Sequence, residues 1–400
     1  MTTLAPDHQV QCHFCSSTFS LAGDLCSDLP RVTSDCRPSP RSGPLAVCPQ
    51  CGLAQTVVSG DWREAADETY RQYQMYAAAD GAEQKVASGE GFQARSVVLA
   101  DRWRSLGVLG ERGALLDIGC GNGSFLRAFA AEFPAWTLSG SETTDREVGK
   151  LRAIPGFQEF YGADPDGIPD GFDAFSLVHV LEHLENPRAF LARVHQSAAP
   201  GGQLLVEVPA WRSNPFALMI ADHASHFSMS TLAMVVSSAG WFPSLVTDQW
   251  VPKELSLTAS SNVQPRRSPP PDAASEERAL IKAVSWLRQS RDQLLALIPR
   301  AESIGLFGSA IAATWLYQSA PDAVQFFVDE DPQRIGRSHL GRPILAPDQV
   351  PGGADVFVGV SPLLSSAIAD RLSRPQCRYH AASPLEGLSD RTNEIFSPKK

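Results

Sequence analysis

The sequence predicts an α/β chain: a mostly parallel sheet with helices on it, a cysteine-rich module in front and a smaller α/β unit behind. Three observations carry this. From Ala114 to about Ser256, apolar runs ("ALLDIG", "WTLSGSE", "AFSLVHV", "QLLVEVP") alternate with helical patterns ("FLRAFAAEF", "RAFLARVHQSA"), the mark of βαβ units. Six of the eight cysteines lie before residue 52, among many Pro, Ser and Asp, a composition that needs a staple other than a core. The stretch "SSNVQPRRSPPPDAASEE" can continue neither helix nor central strand, and beyond it "SIGLFGSAIAATWLY", "VQFFVDED" and "ADVFVGVS" repeat the strand, turn, helix, strand order.

The 400 residues are too many for one ordinary core, and a composition of 43% hydrophobic and 20% charged residues is that of a globular protein. No apolar run approaches the roughly 18 residues of a membrane span, so no membrane partner is expected. The first ten residues, "MTTLAPDHQV", have neither a basic flank nor an apolar stretch, which predicts a cytoplasmic protein with no secretory signal. A net charge of -10 argues against nucleic acid as substrate, because phosphate backbones call for a basic stripe. Nothing in the sequence fixes an oligomeric state.

Taken in order, Cys12-His-Phe-Cys15 and Cys48-Pro-Gln-Cys51-Gly52 are two C-x-x-C turns, able together to surround one tetrahedral Zn²⁺ with four thiolates. Four protein ligands leave no open position, so the expected zinc is structural. The gap of about 30 residues between them is long for a compact ribbon. Cys26 and Cys36 lie within it, either competing as ligands or standing as free thiols, and His13 is read as a bystander. Residues 61–107 then read as helix-rich text ending at Gly107.

In "LLDIGCGNGSFLRAF" a strand ending near Asp117 feeds a turn with Gly119, Gly121 and Gly123 before a helix starting near Ser124. Glycine permits positive φ and lets a ligand approach the backbone with no Cβ in the way. A dinucleotide fingerprint would place glycine where Ser124 stands. The pattern is instead D-x-G-x-G-x-G, suited to a ligand without a pyrophosphate, such as S-adenosylmethionine. Glu142, about 20 residues on at the end of the second strand, is placed to accept ribose hydroxyls, and Asp164 follows the third strand where an adenine edge could be met. Either acid has the alternative of a solvated loop residue.

"LDIGCGNG", "HVLEHLENP" and "PGGQLLVEVP" together resemble the class I S-adenosylmethionine-dependent methyltransferases, a Rossmann-like fold, over about Ala114 to Ser256. The resemblance implies cofactor binding by Asp117, Gly119, Gly121, Gly123, Glu142, Asp164 and His179. It gives His183 a packing or capping role. The order of knuckles, methyltransferase domain, helix and small α/β domain further resembles the sugar C-methyltransferases that act on nucleotide-linked 4-keto-deoxysugars, with "GLFGSAIAATWL", "FFVDEDPQRIGRSHLGRPIL" and "ADVFVGVS" carrying the C-terminal match. The implied division is a zinc-binding domain 1–60, a helical cap 61–110, a methyltransferase domain 111–258, a linker 259–276 and a C-terminal domain 277–390.

By that resemblance "DHASHFS" supplies a catalytic acid–histidine pair, Asp222 and His223. Methylating carbon beside a ketone requires removal of a weakly acidic C–H, for which imidazole is a suitable base, and a neighbouring carboxylate would orient the ring. The bland alternatives are that Asp222 caps the helix "MSTLAMVVSSAG" and that His223 or His226 satisfies a buried contact. Ile220, Ala221 and His226 depart from the family pattern, which leaves the acceptor open. Tyr73 and Tyr76 stand where the family places a substrate-facing tyrosine, or are packing residues. The second glycine turn, Gly305 to Gly308 with Asp329 following, either holds the nucleotide of the acceptor or only closes the cleft. The leading expectation is C-methylation of a sugar nucleotide or related activated metabolite. O-methylation of a small molecule and a non-catalytic cofactor- and zinc-binding scaffold are the alternatives.

Overall fold

The computed structural model describes residues 9–21, 23–40, 43–72, 83, 85–88, 91–262, 271–385, 387 and 394–395. Tyr73 and Tyr76 lie outside them. At the N-terminus two antiparallel hairpins, Gln9–Gln11 with Thr18–Ser20 and Leu45–Val47 with Ala54–Thr56, each carry one C-x-x-C turn. Helix α1 (Gly60–Arg71) starts where the Ser59 side chain accepts from the Trp62 backbone N–H. Residues 85–88 and 91–94 are not helical as the composition suggests. They form a hairpin, Lys85–Ser88 with Gly91–Ala94, before α2 (Arg95–Ser105). The Ser-Gly-Glu-Gly run has too low a helix propensity to carry one helix through.

The central sheet contains β1 (Ala114–Ile118), β2 (Thr137–Glu142), β3 (Phe157–Gly162), β4 (Phe172–Val178), β5 (Ala198–Pro209), β6 (Phe242–Thr247) and β7 (Glu254–Ser260). Their spatial order is β3-β2-β1-β4-β5-β7-β6, with Glu394–Ile395 on the β6 edge. Strands β1 to β5 run parallel and β7 is antiparallel to both its neighbours. The order reverses at β1, and that reversal opens a crevice at the carboxyl ends of β1 and β4. Both sheet faces are covered, which explains the near-continuous apolar strands. On one face lie α2 and α3 (Ser124–Glu132), packed through Trp103, Phe125 and Phe129; on the other lie α4 (Pro187–Gln196) and α5 (Met229–Ser238), packed through Leu191, Leu232 and Trp241.

Helix α6 (Ala273–Leu297) buries Leu280, Val284, Leu287 and Leu294 and leads into a sheet of β8 (Ile304–Phe307), β9 (Val324–Val328), β10 (Arg342–Leu345), β11 (Asp355–Val358) and β12 (Arg378–Ala381). The order is β10-β9-β8-β11-β12, with Ser338–His339 beyond β10. The N-terminal segment ties these units together. The Trp315 indole donates to the Pro30 carbonyl at 2.9 Å, Gln318 to the Arg31 carbonyl at 3.0 Å, and Val32 bridges Ile220. Among the described residues no helix is long and apolar enough to cross a membrane.

Candidate active site

The glycine turn closes onto the end of β2. The backbone N–H groups of Gly119 and Cys120 donate to the Ser141 carbonyl at 2.8 and 3.1 Å, and that of Gly121 donates to Glu142 Oε2 at 3.1 Å. Two of the glycines are sterically required. Gly119 sits at φ +71°, where an added Cβ would stand 2.3 Å from Val180 Cγ2, and Gly123 at φ +80° would meet Leu151 and Ile154 at 2.6 and 2.7 Å. Gly119→Ala is therefore expected to push the turn away from β4 and weaken S-adenosylmethionine binding by about tenfold or more, since strain plus a contact this short costs on the order of 1–3 kcal/mol. Calorimetric binding to a variant that a melting curve shows to be folded checks it; wild-type affinity would show that the turn does not shape the site.

Asp117 is buried beneath the turn, its carboxylate accepting from Ser176 Oγ at 2.7 Å. Burial pushes it up to about 7, against the pull of the Ser176 hydroxyl and with the help of Glu142. Glu142 also accepts from the Thr143 backbone and hydroxyl at 2.7 and 2.9 Å, and a carboxylate so engaged keeps lone pairs for ribose hydroxyls. Asp164, exposed just past β3, caps a short helical turn by accepting from the Asp166 N–H at 3.0 Å. His179, at φ +57° after β4, has both ring nitrogens engaged: Nδ1 lies 3.1 Å from Glu182 Oε1 and Nε2 lies 2.6 Å from the Arg95 guanidinium. As guanidinium only donates, Nδ1 carries the proton that goes to Glu182.

The turn after β4 places Glu182 and His183 against the "DHASHFS" segment. The Ala224 N–H donates to the Glu182 carbonyl at 2.8 Å, and the rings of His183 and His223 meet edge to face at 4.7 Å between centroids. His223 is 3% exposed, and no hydrogen bond reaches its ring among the described residues. Burial, then the rings of His183, His226 and His179, holds its pKa well below the ordinary value, so it is neutral with a lone pair to offer.

Asp222 corrects the expectation that it orients His223. Its carboxylate accepts from the Ser34 backbone N–H at 2.8 Å and the Ser34 hydroxyl at 2.6 Å, and the ring it approaches is that of His183, at 3.6 Å. Nor does it cap α5, whose cap is Ser228 in a capping box with Thr231. The long gap between the knuckles is thus the chain that delivers Ser34 to Asp222. His226 is a structural residue, with Nε2 3.2 Å from Thr56 Oγ1, and Ser225–His226 pairs as a strand with Ala54–Thr56. His13 lies outside the thiol cluster and packs over the same segment, 3.5 Å from Ser225 Oγ.

Sequence reasoning missed the parts played by Glu182, His183, Ser34 and Glu207. Glu207, on β5, is fully buried and pushed up to about 8 by burial and by Glu254, so it is an acid able to donate at neutral pH. The "EHL" string could have pointed to the first two. No local signal marks Ser34.

Cys12, Cys15, Cys48 and Cys51 gather with all four sulfurs within 4.8 Å of one another, the Cys12–Cys51 and Cys15–Cys48 pairs at 3.5 and 3.6 Å. Thiolates at about 2.3 Å from a tetrahedral Zn²⁺ stand roughly 3.8 Å apart, so the donor set fits that ion. Cys26 packs in the core beneath α6, and Cys36 lies beside α7 (Ile311–Tyr317), its carbonyl accepting from Thr314; neither joins the cluster. In the C-terminal unit, Asp329 accepts from Ser309 Oγ at 2.6 Å and faces Arg334 at 3.5 Å, while a Cβ on Gly305 would stand 2.2 Å from the Phe326 ring.

Residues 93–242 match a family model, the methyltransferase domain. The chain carries a methyltransferase domain over these residues. It is 33% identical across 149 residues to demethylspheroidene O-methyltransferase of Rhodobacter capsulatus, covering 34% of this chain and 35% of that relative. It is 30% identical across 121 residues to trans-aconitate 2-methyltransferase of Deinococcus radiodurans, covering 30% and 43%. The chain thus spans about a third to two fifths of the length of these curated relatives. Among solved structures, human N-acetylserotonin methyltransferase in complex with SAM aligns with a TM-score of 0.35 at 17% identity, over 42% of this chain and 51% of that one. A methyltransferase from Mesorhizobium loti aligns with a TM-score of 0.34 at 19% identity, over 40% and 97%. Residues 93–242 include the glycine turn and the carboxyl ends of β1 and β4.

Proposed function

We propose that this protein is an S-adenosylmethionine-dependent methyltransferase that methylates carbon on a nucleotide-linked keto-deoxysugar or a related activated metabolite. The observation that carries the reading is the buried ring of His223, which no hydrogen bond reaches among the described residues, beside the turn that follows β4. S-adenosylmethionine, when bound, supplies a methyl group made electrophilic by its sulfonium. Asp117, Gly119, Gly121, Gly123, Glu142, Asp164 and the turn through His179 are assigned to hold it. His223 takes the proton from the acceptor carbon next to the ketone, and His183 lies edge-on to it. Asp222 is a positioning residue that fixes the segment through Ser34. Four thiolates from Cys12, Cys15, Cys48 and Cys51 would hold a structural Zn²⁺, and the C-terminal unit, around Ser309 and Arg334, would meet the nucleotide of the acceptor.

In D₂O, enolate formation is expected to place deuterium on the acceptor carbon of a keto-sugar nucleotide, and the product should carry a new C–CH₃ bond. A methyl ether with no exchange at carbon would instead establish the second reading, O-methylation. That reading is favoured by two relatives named as O-methyltransferases, demethylspheroidene O-methyltransferase and, at 31% identity, the mitochondrial ubiquinone biosynthesis O-methyltransferase of Schizosaccharomyces pombe.

A further inference from the structure

Glu182, His183 and His223 each bring one ligand atom into a group whose members all lie within 4.8 Å of one another. The three side chains come from the turn after β4 and from the segment that packs on it. Two of them, Glu182 and His183, are held by outer partners in the way metal ligands are, and the third, His223, has its ring unengaged by hydrogen bonds among the described residues. Glu182, 1% exposed, has Oε1 held by His179 Nδ1, while its Oε2 is buried with no hydrogen-bond partner. His183 Nδ1 stands 3.1 Å from the Asp222 carbonyl, which accepts its proton and leaves the lone pair on Nε2. The His223 ring has no hydrogen bond at all among the described residues. Ligating histidines generally donate their other ring N–H to a carbonyl or carboxylate, and ligating carboxylates are themselves hydrogen-bonded. Asp222 and His179 occupy those outer positions here.

We propose that Glu182, His183 and His223 form a second metal site, with two imidazoles and one carboxylate as donors, which takes a borderline divalent cation such as Zn²⁺. Donors at about 2.0–2.2 Å from such an ion stand roughly 3.4 Å apart, so closing the site takes side-chain rotations of about 1 Å. Imidazole and carboxylate suit Zn²⁺, Co²⁺ and Ni²⁺ better than Mg²⁺ or Ca²⁺, which prefer oxygen. Unlike the four-thiolate cluster, this set leaves coordination positions open. Its consequence rests on the proposed role of His223: the lone pair that binds the ion is the one that would accept the proton, so the filled site is catalytically silent.

Equilibrium dialysis of the full chain against micromolar ZnCl₂, followed by metal analysis, is expected to give two zinc ions per chain, falling to one in Glu182→Gln and in His183→Ala. With Co²⁺ in place of zinc, the second equivalent should add visible bands without the thiolate charge-transfer absorption of the first, and those bands should vanish in His183→Ala. One ion per chain in the wild type, or two in every variant, overturns the site. Methylation measured along the same zinc titration should fall by more than tenfold as the second ion binds and return on chelation of that ion alone. Filling of the second site with unchanged turnover would keep the metal site and overturn the assignment of His223 as base.

Discussion

Substituting His223 by Asn is expected to lower the methylation rate by about 10²–10⁴, the range that a positioned general base contributes, while S-adenosylmethionine binds with wild-type affinity. The second half of the expectation follows from geometry. The His223 ring hydrogen-bonds to nothing among the described residues, and the donor site assigned around Glu142 is built on the end of a different strand, β2, and the glycine turn that closes on it. Its pH profile supplies an independent check. A base works when unprotonated, and the His223 pKa is lowered by burial and then by the His183, His226 and His179 rings. Activity should therefore be present above that lowered pKa and be lost only as pH falls through it, so the acidic limb of kcat/KM lies below the ordinary histidine value of about 6.5. Single-turnover rates at saturating donor, calorimetry and a melting curve together decide the matter; full activity in a folded His223→Asn protein would remove the base from this site. Asp222→Asn should have a smaller effect, because its carboxylate bonds to Ser34 rather than to the base.

Which parts of this arrangement could be read from sequence follows from how local their causes are. The strand, turn and helix around Asp117 to Ser124 are dictated within ten residues, by an apolar run, glycines with positive φ and a helix start, and they fold as read. The four-thiolate cluster is similar: two C-x-x-C turns at hairpin tips need only each other. The strand register could not be read, because the β5–β7–β6 antiparallel edge depends on how the chain returns after α5. The partners of Asp222 were hidden for the same reason. An acid adjacent in sequence to a histidine suggests a dyad. In the folded chain Ser34, 188 residues away, takes the carboxylate instead. Likewise Lys85–Ser88 pairs with Gly91–Ala94 against the helix-rich composition around it, because closely spaced glycines lower helix propensity there. Contacts between distant segments are tertiary facts, and here they decide which side chains face the acceptor.

Removing the zinc expected at Cys12, Cys15, Cys48 and Cys51, or substituting Cys48→Ser, should abolish methylation while leaving the donor site in place. The N-terminal module has little core of its own: one small cluster holds Val10, Ala46 and Val57. Structural zinc in small domains contributes on the order of 10–16 kcal/mol at neutral pH, as much as the whole stability of many domains, so the hairpins should not stay ordered without it. Three of their contacts fall on the acceptor segment: Ser34 on Asp222, Thr56 on His226, and the strand Ala54–Thr56 on Ser225–His226. Loss of the module therefore frees the chain on both sides of His223, whereas the Gly119–Gly123 turn is held by Ser141 and Glu142 within the central sheet. The expected result is a protein that binds S-adenosylmethionine within about twofold of the wild type, loses at least one hundredfold in turnover and shows new protease cleavage before residue 60. Were zinc-free protein to turn over normally, the module would be a passenger and the order at Asp222 and His223 would have to come from α1, where the Trp62 indole donates to the Ala221 carbonyl at 2.7 Å. That bond alone fixes one backbone oxygen and leaves the Asp222 carboxylate, buried at 1% exposure, without the Ser34 donors that compensate its burial. An unpaired acid in that position would have to shift or take up a proton, and either change moves the neighbouring imidazoles.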